Sequence, residues 1–536
     1  MRTPNDQEYA SLLAMSDSRR LFVARWTELF DAQVSFRFRH RPITRELLGR
    51  EQAAITLNRQ GTQVLDRSVL YAQLVNEETQ QLPQVMFKHW SAGFVESSPM
   101  DAAERIAGGF ALAGHSNELL FQARRHLLNG GDLQEQLDDA VRWHSERSYR
   151  RPFLVVVPAA QKGFVPASSG LSLALAGQED GQGLLPPALV AEYRRALQRG
   201  HVEPADVFVR AVIETQDANR AWELFRELFD RYLTRLRPSL RPVPLREGTS
   251  VFVWDPHPGP DGRAIGFKPK PPFPYPAPPF PSGPRMTTIV DCASSDPVLD
   301  VVLDQYASAL HALKANDTRR AFILLIPLLD IAFQCGTGRQ RQKPPFARAI
   351  EAGALLLALS EPKAHFDHLV QFLRRKSWIT GRPALVAKDH EALAILTNEQ
   401  KWSAICRTYD WNPLVHVRRT HLMAMLRGNM RHPQLRRRTA RWDLARAIRA
   451  RHAYAHRGEP LTDTHLLAVL IETVHQCLAA RCAAAETGTE FGTLIDLMED
   501  VVTGTRTLPD WPSLALDGLW SLPPYLRLCQ RSSKES

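Results

Sequence analysis

Nine prolines lie between Pro269 and Pro284, in the stretch PKPPFPYPAPPFPSGP. Proline cannot continue a helix and cannot donate a hydrogen bond to a sheet, so a run this dense is typical of an extended, polyproline-like connector. It could also be a ligand for an SH3-like groove, but the chain has no other feature of an adaptor. The run therefore predicts a boundary between folding units, and we place a Pro-rich linker at 247–290.

Length and composition narrow the class of protein. The 536 residues are 44% hydrophobic and 23% charged, which is ordinary for a soluble globular chain. The N-terminus lacks the pattern of a secretory signal, and the most apolar runs are shorter than the roughly 18 to 20 residues of a membrane span. The six cysteines show no CxxC pair or metal-ligand spacing. We expect a cytoplasmic protein with no membrane contact, no metal and no other cofactor.

The region before the linker, 1–246, predicts a mixed, mostly helical fold with some β structure. Apolar residues recur at helical spacing over 188–200 and 219–236. The segment RPFLVVVPA, which begins at Arg151, fits either a buried strand or a short core helix.

Beyond the linker the hydrophobic pattern becomes helical and stays so. Segments of helix length and period cover 296–317, 318–336, 345–362 and 364–378, and a long one covers 461–486. They predict an α-helical bundle over 291–486, with a Pro- and Trp-containing tail at 487–536. The chain as a whole is thus expected to be mainly α.

Positive charge is concentrated in one segment of the predicted bundle. The net charge is +10, and from Arg407 to Arg457 there are thirteen Arg, no Lys and two acids, which gives 13 − 2 = +11 and leaves 10 − 11 = −1 for the rest. The guanidinium fork matches phosphate geometry, so this segment predicts a phosphate-bearing partner. The alternative is a solvated helix face with ion pairs to distant acids, which the scarcity of local acids disfavours.

The same segment ends in ARAIRARHAYAHRGEP, Ala445 to Pro460. In it Arg451 is followed by the polar His452 and, after four intervening residues, by His456, and Gly458 then stops the helix. This arrangement resembles the R-x(4 to 6)-H motif of the HEPN superfamily of ribonucleases. The resemblance covers the predicted bundle, 291–486, and no other part of the chain.

The resemblance implies a fold and an activity. HEPN domains are helical bundles that dimerise so that two motifs line one RNA-binding cleft, and they recur in abortive-infection proteins. It implies a metal-independent endoribonuclease that is a homodimer or higher homo-oligomer and defends its host against phage. The region 1–246 would then be a sensor or regulatory region, with a phage-derived trigger as its partner.

The residue types suit this chemistry. His456 can act as general base or acid because imidazole titrates near pH ~6.5, and Arg451 can hold the phosphate and its developing charge. We expect His452 to contact substrate or to orient His456. Further arginines are predicted to bind RNA: Arg436, Arg437, Arg438, Arg446, Arg449 and Arg457.

Helix geometry leaves the choice of arginine open. At about 100° per residue, Arg451 and His456 lie roughly 140° apart, whereas Arg449, His452 and His456 lie nearly along one face. The helical wheel favours Arg449 and the motif favours Arg451, so both stay candidates.

Two other functions also fit the sequence. The bundle could be a nucleic-acid or nucleotide binding module without catalysis, whose binding weakens steeply with salt. The chain could instead be a scaffold that makes protein contacts through its linker and helices.

Overall fold

The chain divides into two compact units. The structure is a computed structural model that describes residues 15–30, 38, 99–112, 114–128, 150–159, 172–175, 185–202, 204–205, 207–236, 250–256, 263–267, 297–314, 317–335, 338–374, 389–406, 412–457 and 464–504. Of these, residues up to 267 belong to the first unit and residues from 297 onward to the second.

Within the described residues, three helices precede the sheet of the first unit: α1 (Asp17–Phe30), α2 (Pro99–Leu112) and α3 (Asn117–Leu128). The buried Trp26 of α1 joins them. Its ring packs edge-on against Phe110 of α2, and its Nε1 donates a hydrogen bond of 2.9 Å to the carbonyl of Leu120 in α3. A buried indole needs such an acceptor, so Trp26 fixes how the three helices pack.

A five-stranded antiparallel sheet forms the centre of the first unit, with strand order β2-β3-β1-β4-β5. Central strand β1 pairs with β3 along its whole length, from Arg151 opposite Thr215 to Ala159 opposite Val207. The segment RPFLVVVPA is therefore a strand. The five strands are β1 (Arg151–Ala159), β2 (Ser172–Leu175), β3 (Val207–Thr215), β4 (Val251–Asp255) and β5 (Arg263–Phe267).

Helices cover both faces of this sheet. Val155 of β1 points to the core formed with α5 (Ala218–Leu236), and the next residue, Val156, points to the core formed with α4 (Pro187–Gln198). Successive strand residues face opposite sides, so a strand covered on both sides is apolar throughout. The two helices predicted at 188–200 and 219–236 are confirmed.

The predicted linker differs from the structure at its start. Strands β4 and β5 lie inside 247–290 and form a hairpin of the sheet. The segment VFVWD of β4 is rich in β-branched and aromatic residues, a strand signal that the nearby prolines outweighed in the prediction. Pro269 to Pro284 lie outside the described residues.

The second unit is helical throughout the part that the structure describes, apart from turns. A mainly α chain with some β is thereby confirmed. A short 3-10 turn, Arg339–Gln342, precedes α8. The helices are α6 (Pro297–Lys314), α7 (Thr318–Ala332), α8 (Pro345–Leu359), α9 (Glu361–Arg374), α10 (Asp389–Thr397), α11 (Glu399–Cys406), α12 (Leu414–Leu426), α13 (Arg431–Arg457), α14 (Thr464–Thr487) and α15 (Phe491–Thr503).

Helix α8 is the core of this bundle, because every residue from Ala352 to Leu359 is buried. It packs against α13 and α14. The approach is closest at Gly353, where the neighbouring helices leave no room for a side chain: a Cβ would lie 2.7 Å from Cγ2 of Thr473 in α14 and 3.1 Å from Cδ1 of Leu444 in α13. Glycine at this position therefore sets the spacing of the three helices.

The substitution Gly353→Ala tests that spacing. Alanine in a helix interior normally stabilises by about 0.5 to 1 kcal/mol relative to glycine, but here overpacking should lower the free energy of unfolding by about 1 to 3 kcal/mol. Urea denaturation measures the change. Adding Thr473→Ser removes the clashing methyl group and keeps the hydroxyl that bonds to Val469, so the double variant should recover part of the loss. A plain stabilisation by Gly353→Ala would contradict the close approach.

Two features of the C-terminal part of the bundle bear on the predictions. In α14, the segment His465–Ala485 is long and apolar enough to span a membrane, but 83% of its apolar window is buried inside the protein, as in a core helix.

The bundle also continues past 486. Helix α15 lies in the predicted tail, and its Asp496 and Asp500 bind Arg339, which precedes α8.

Candidate functional site

All of the predicted site residues lie on α13, a 27-residue helix that runs unbroken from Arg431 to Arg457. An unbroken helix keeps the rotation of about 100° per residue through its last turn. Position 456 therefore lies on the same face as Arg449, and about 140° from Arg451. The backbone of α13 is described at 456 and 457, but the side chains of His456 and Arg457 lie outside the described residues.

Arg451 is half-buried near the end of α13, on the face whose preceding turns carry the buried Leu444 and Ala447. It forms no ion pair or hydrogen bond within the part of the chain that the structure describes. A guanidinium that is not engaged by the described residues has N–H donors to offer an anion.

A second arginine reaches the same end of α13 from α7. The Arg319 guanidinium lies 4.6 Å from the ring centroid of Tyr454 and donates a hydrogen bond to the tyrosine hydroxyl. Tyr454 follows Arg451 by three residues, and residues at this spacing are neighbours on a helix surface. Arg319 was not predicted, because its position more than a hundred residues earlier leaves no local sequence signal.

The other face of α13 carries Arg449 and His452, and each contacts an aromatic ring. The Arg449 guanidinium lies 5.2 Å from the ring centroid of Trp442, a cation–π contact two turns earlier on the helix. The exposed His452 packs edge-on against Phe346 of α8, with ring centroids 6.4 Å apart. Arg449 and His452 are thus placed beside position 456, as the helical wheel predicts.

The remaining predicted RNA-binding arginines divide into paired and exposed residues. Arg436 is buried, with its Nε 3.8 Å from a carboxylate oxygen of Glu361. Arg437 is paired with Glu499 at 2.6 Å and with Glu351 at 3.5 Å. These two are engaged inside the bundle and do not face a partner in this arrangement.

Arg438 is exposed, and Arg446 is half-buried. Ion pairs to distant acids thus account for part of the basic segment. The scarcity of local acids had disfavoured this interpretation. Further examples are Arg419 with Glu399 and Arg441 with Glu351. Exposed arginines of α13 include Arg431 and Arg438 on its outer side.

A histidine cluster on three helices was not predicted from the sequence. His365 of α9 and His421 of α12 have ring centroids 5.9 Å apart, and His421 and His432 of α13 are 3.9 Å apart. The carboxylate of Glu361 lies 3.4 Å from Nε2 of His365. The three histidines are far apart in sequence, so no spacing pattern reveals the cluster.

The surroundings of this cluster lower the pKa values of two of its histidines, His421 and His365. Burial, followed by the neighbouring His432, His365 and Arg418, lowers the pKa of His421 from about 6.5 to about 3. Burial is also the largest cause that lowers the pKa of His365, although Glu361 opposes it. Among the described residues no group of three or more His, Cys, Asp or Glu is placed to hold a metal ion.

Comparison with protein families, with curated proteins and with solved structures gives no match for this chain.

Proposed function

We propose that the second unit is a metal-independent endoribonuclease of the HEPN type, with its site at the C-terminal end of α13. The observation that supports this most is Arg451, a half-buried arginine with no ion pair among the described residues, five residues before position 456. Arg319, stacked on Tyr454, adds a second guanidinium to the same end of the helix. Two cations at one end of a helix that bind no acid among the described residues suit a phosphodiester.

The proposed reaction uses the ribose 2′-hydroxyl as nucleophile. A base removes its proton, its oxygen attacks the adjacent phosphorus, and the bond to the leaving 5′-oxygen breaks as that oxygen takes up a proton. His456 supplies the base or the acid, and an arginine stabilises the charge that develops on the phosphorane. The products are a 2′,3′-cyclic phosphate and a 5′-hydroxyl.

The placement of the two motif residues on α13 makes a dimer part of this proposal. Arg451 and position 456 are about 140° apart on one unbroken helix, so one protomer does not present both to the same phosphate. A two-fold axis allows Arg451 of one protomer to act with His456 of the other. Arg449, in contrast, lies on the face of position 456 and could act within one protomer.

The products and metal dependence of the reaction test the proposal. Purified protein incubated with labelled tRNA or total RNA should cut it equally well with and without EDTA, and the fragments should carry 2′,3′-cyclic phosphate and 5′-hydroxyl ends. Since region 1–246 is proposed to sense a phage-derived trigger, phage lysate is included in a parallel reaction. Cleavage that requires a divalent metal, or that leaves a 5′-phosphate, would overturn the mechanism.

The separation of Arg451 from position 456 also favours a second function, a nucleic-acid binding module without catalysis. In that case binding depends on the arginines and weakens with salt, and His456→Ala leaves it unchanged. RNA that is bound but stays intact in every condition above would support this alternative.

A further inference from the structure

The outer side of α13 carries a line of basic side chains that ends at His452, beside position 456 of the proposed site. Arg431, Arg438, Arg441 and His452 fall within an arc of about 80° on the helix. We call these four residues the outer stripe. Arg431, Arg438 and His452 are exposed, and the side chain of Arg441 is 53% exposed although it is paired with Glu351.

The ion pairs on the inner side of α13 involve arginines that do not belong to the outer stripe. Glu361 and Glu499 bind Arg436 and Arg437 there. The single acid in the sequence of α13, Asp443, is buried and lies 3.3 Å from His465 of α14. Helix α13 itself thus supplies no carboxylate to the outer stripe, and Glu351 of α8 pairs with its Arg441.

The length of the outer stripe indicates how much of a partner it could bind. Arg431 and His452 are 21 residues apart, which is about 31 Å along a helix that rises 1.5 Å per residue. A stacked nucleic-acid strand advances about 3.4 Å per nucleotide, so the same distance corresponds to roughly nine nucleotides. Arginine forks along this line match the repeated phosphates of such a strand.

We propose that the outer stripe binds the phosphates of an RNA strand that continues from the site at the end of α13. This inference rests on the proposed function for the identity of the strand. It makes the substrate an extended RNA of about nine nucleotides or more, because a shorter strand held at the site does not reach Arg438 and Arg431.

Binding of 2′-O-methylated RNA tests the inference, because such RNA lacks the nucleophile and is not cleaved. Strands of about four, nine and fifteen nucleotides are compared by fluorescence anisotropy over a range of salt concentrations. We expect affinity to rise clearly from the tetramer to the nonamer. In the double variant Arg431→Gln, Arg438→Gln this gain should disappear, with a loss of about tenfold for the nonamer and a salt slope lower by about 1.4, or about 0.7 per phosphate contact.

A matched control is Arg199→Gln, which removes an exposed arginine from the first unit and should change neither quantity. Circular dichroism checks that the double variant is folded, as expected for two exposed positions. Unchanged nonamer affinity and salt slope in the folded double variant would overturn the stripe, even if the wild type cuts RNA. If the double variant loses the length dependence but the wild type never cuts RNA, the outer stripe is supported and the proposed ribonuclease activity is refuted.

Discussion

Replacing His456 by alanine is expected to lower the rate of RNA cleavage by about 10² to 10⁴-fold, the range that a general acid or base contributes. Initial rates on a labelled RNA measure the effect, at several pH values, because loss of the imidazole should also flatten the pH profile of the residual activity. The matched control is His311→Ala, which removes an exposed histidine of α6 and should keep the wild-type rate. Full activity of His456→Ala would rule out the proposed mechanism.

The arginine variants extend this prediction. Removing the arginine that stabilises the phosphorane should cost about 10² to 10³-fold, as for the loss of a preorganised donor to an oxyanion. If Arg449 is that residue, Arg449→Ala has the large effect and Arg451→Ala a small one; if Arg451 is, the order is reversed. Lysine at the sensitive position should restore little, because a point charge does not replace a planar fork.

Mixed dimers then show how the two motifs cooperate. When inactive Arg451→Ala and His456→Ala proteins are mixed and exchange subunits, a site shared between protomers is restored in each mixed dimer. Random exchange of a symmetric dimer gives about a quarter of the wild-type sites. No recovery is expected when the arginine and the histidine of one site come from the same protomer, as for Arg449→Ala mixed with His456→Ala. Recovery in the first mixture and none in the second would assign Arg451 to the shared site.

The sequence was sufficient for most of the helices, because the burial of one helix face leaves a periodic apolar pattern. The sequence was insufficient for predicting elements whose hydrophobic pattern is short or lies beside a competing pattern. The hairpin of β4 and β5 spans few residues and lies beside a proline-dense stretch, so its strand pattern was assigned to the linker. The bundle extends beyond the predicted end at 486, because the apolar residues of α15, among them Leu494 and Met498, are buried.

The candidate site was predictable only in its position on α13. The motif locates Arg451 and His456, and the helical wheel correctly indicates the face that Arg449 shares with position 456. Which arginines are engaged in ion pairs depends on residues that fold against them from far away in the sequence. Glu351 and Glu499 hold Arg437, and no spacing rule reveals such a pairing.

The histidine cluster of His365, His421 and His432 should make the bundle unstable in acid. The pKa of His421 is lowered to about 3 in the folded protein, so between about pH 6.5 and pH 3 the unfolded chain binds more protons than the folded one. The stability that the neutral histidine provides is complete above about pH 6.5 and is lost as the pH falls through this window. His365, whose pKa is also lowered, acts in the same direction.

The charged and titratable groups around the cluster come from all three of its helices. Helix α9 contributes Glu361, His365 and His368, α12 contributes Arg418, and α13 contributes His432 and Arg436. Once the histidines are protonated, the positive groups of the cluster outnumber its single carboxylate, Glu361. Protonation therefore adds repulsion between α12 and the helices α9 and α13. Acid is therefore expected to weaken the packing of α12 on α9 and α13, the helix that carries the proposed site.

Urea denaturation followed by circular dichroism at about pH 7.5 and about pH 5 measures this loss. The non-ionising variant His421→Gln should reduce it by about 1 kcal/mol, since the linkage limit of about 2 kcal/mol is lowered by the partial exposure of His421. His452→Gln removes an exposed histidine of the same bundle and should leave the pH dependence as it is in the wild type. Equal loss of stability in the wild type and in His421→Gln would show that the cluster does not control the response of the bundle to acid.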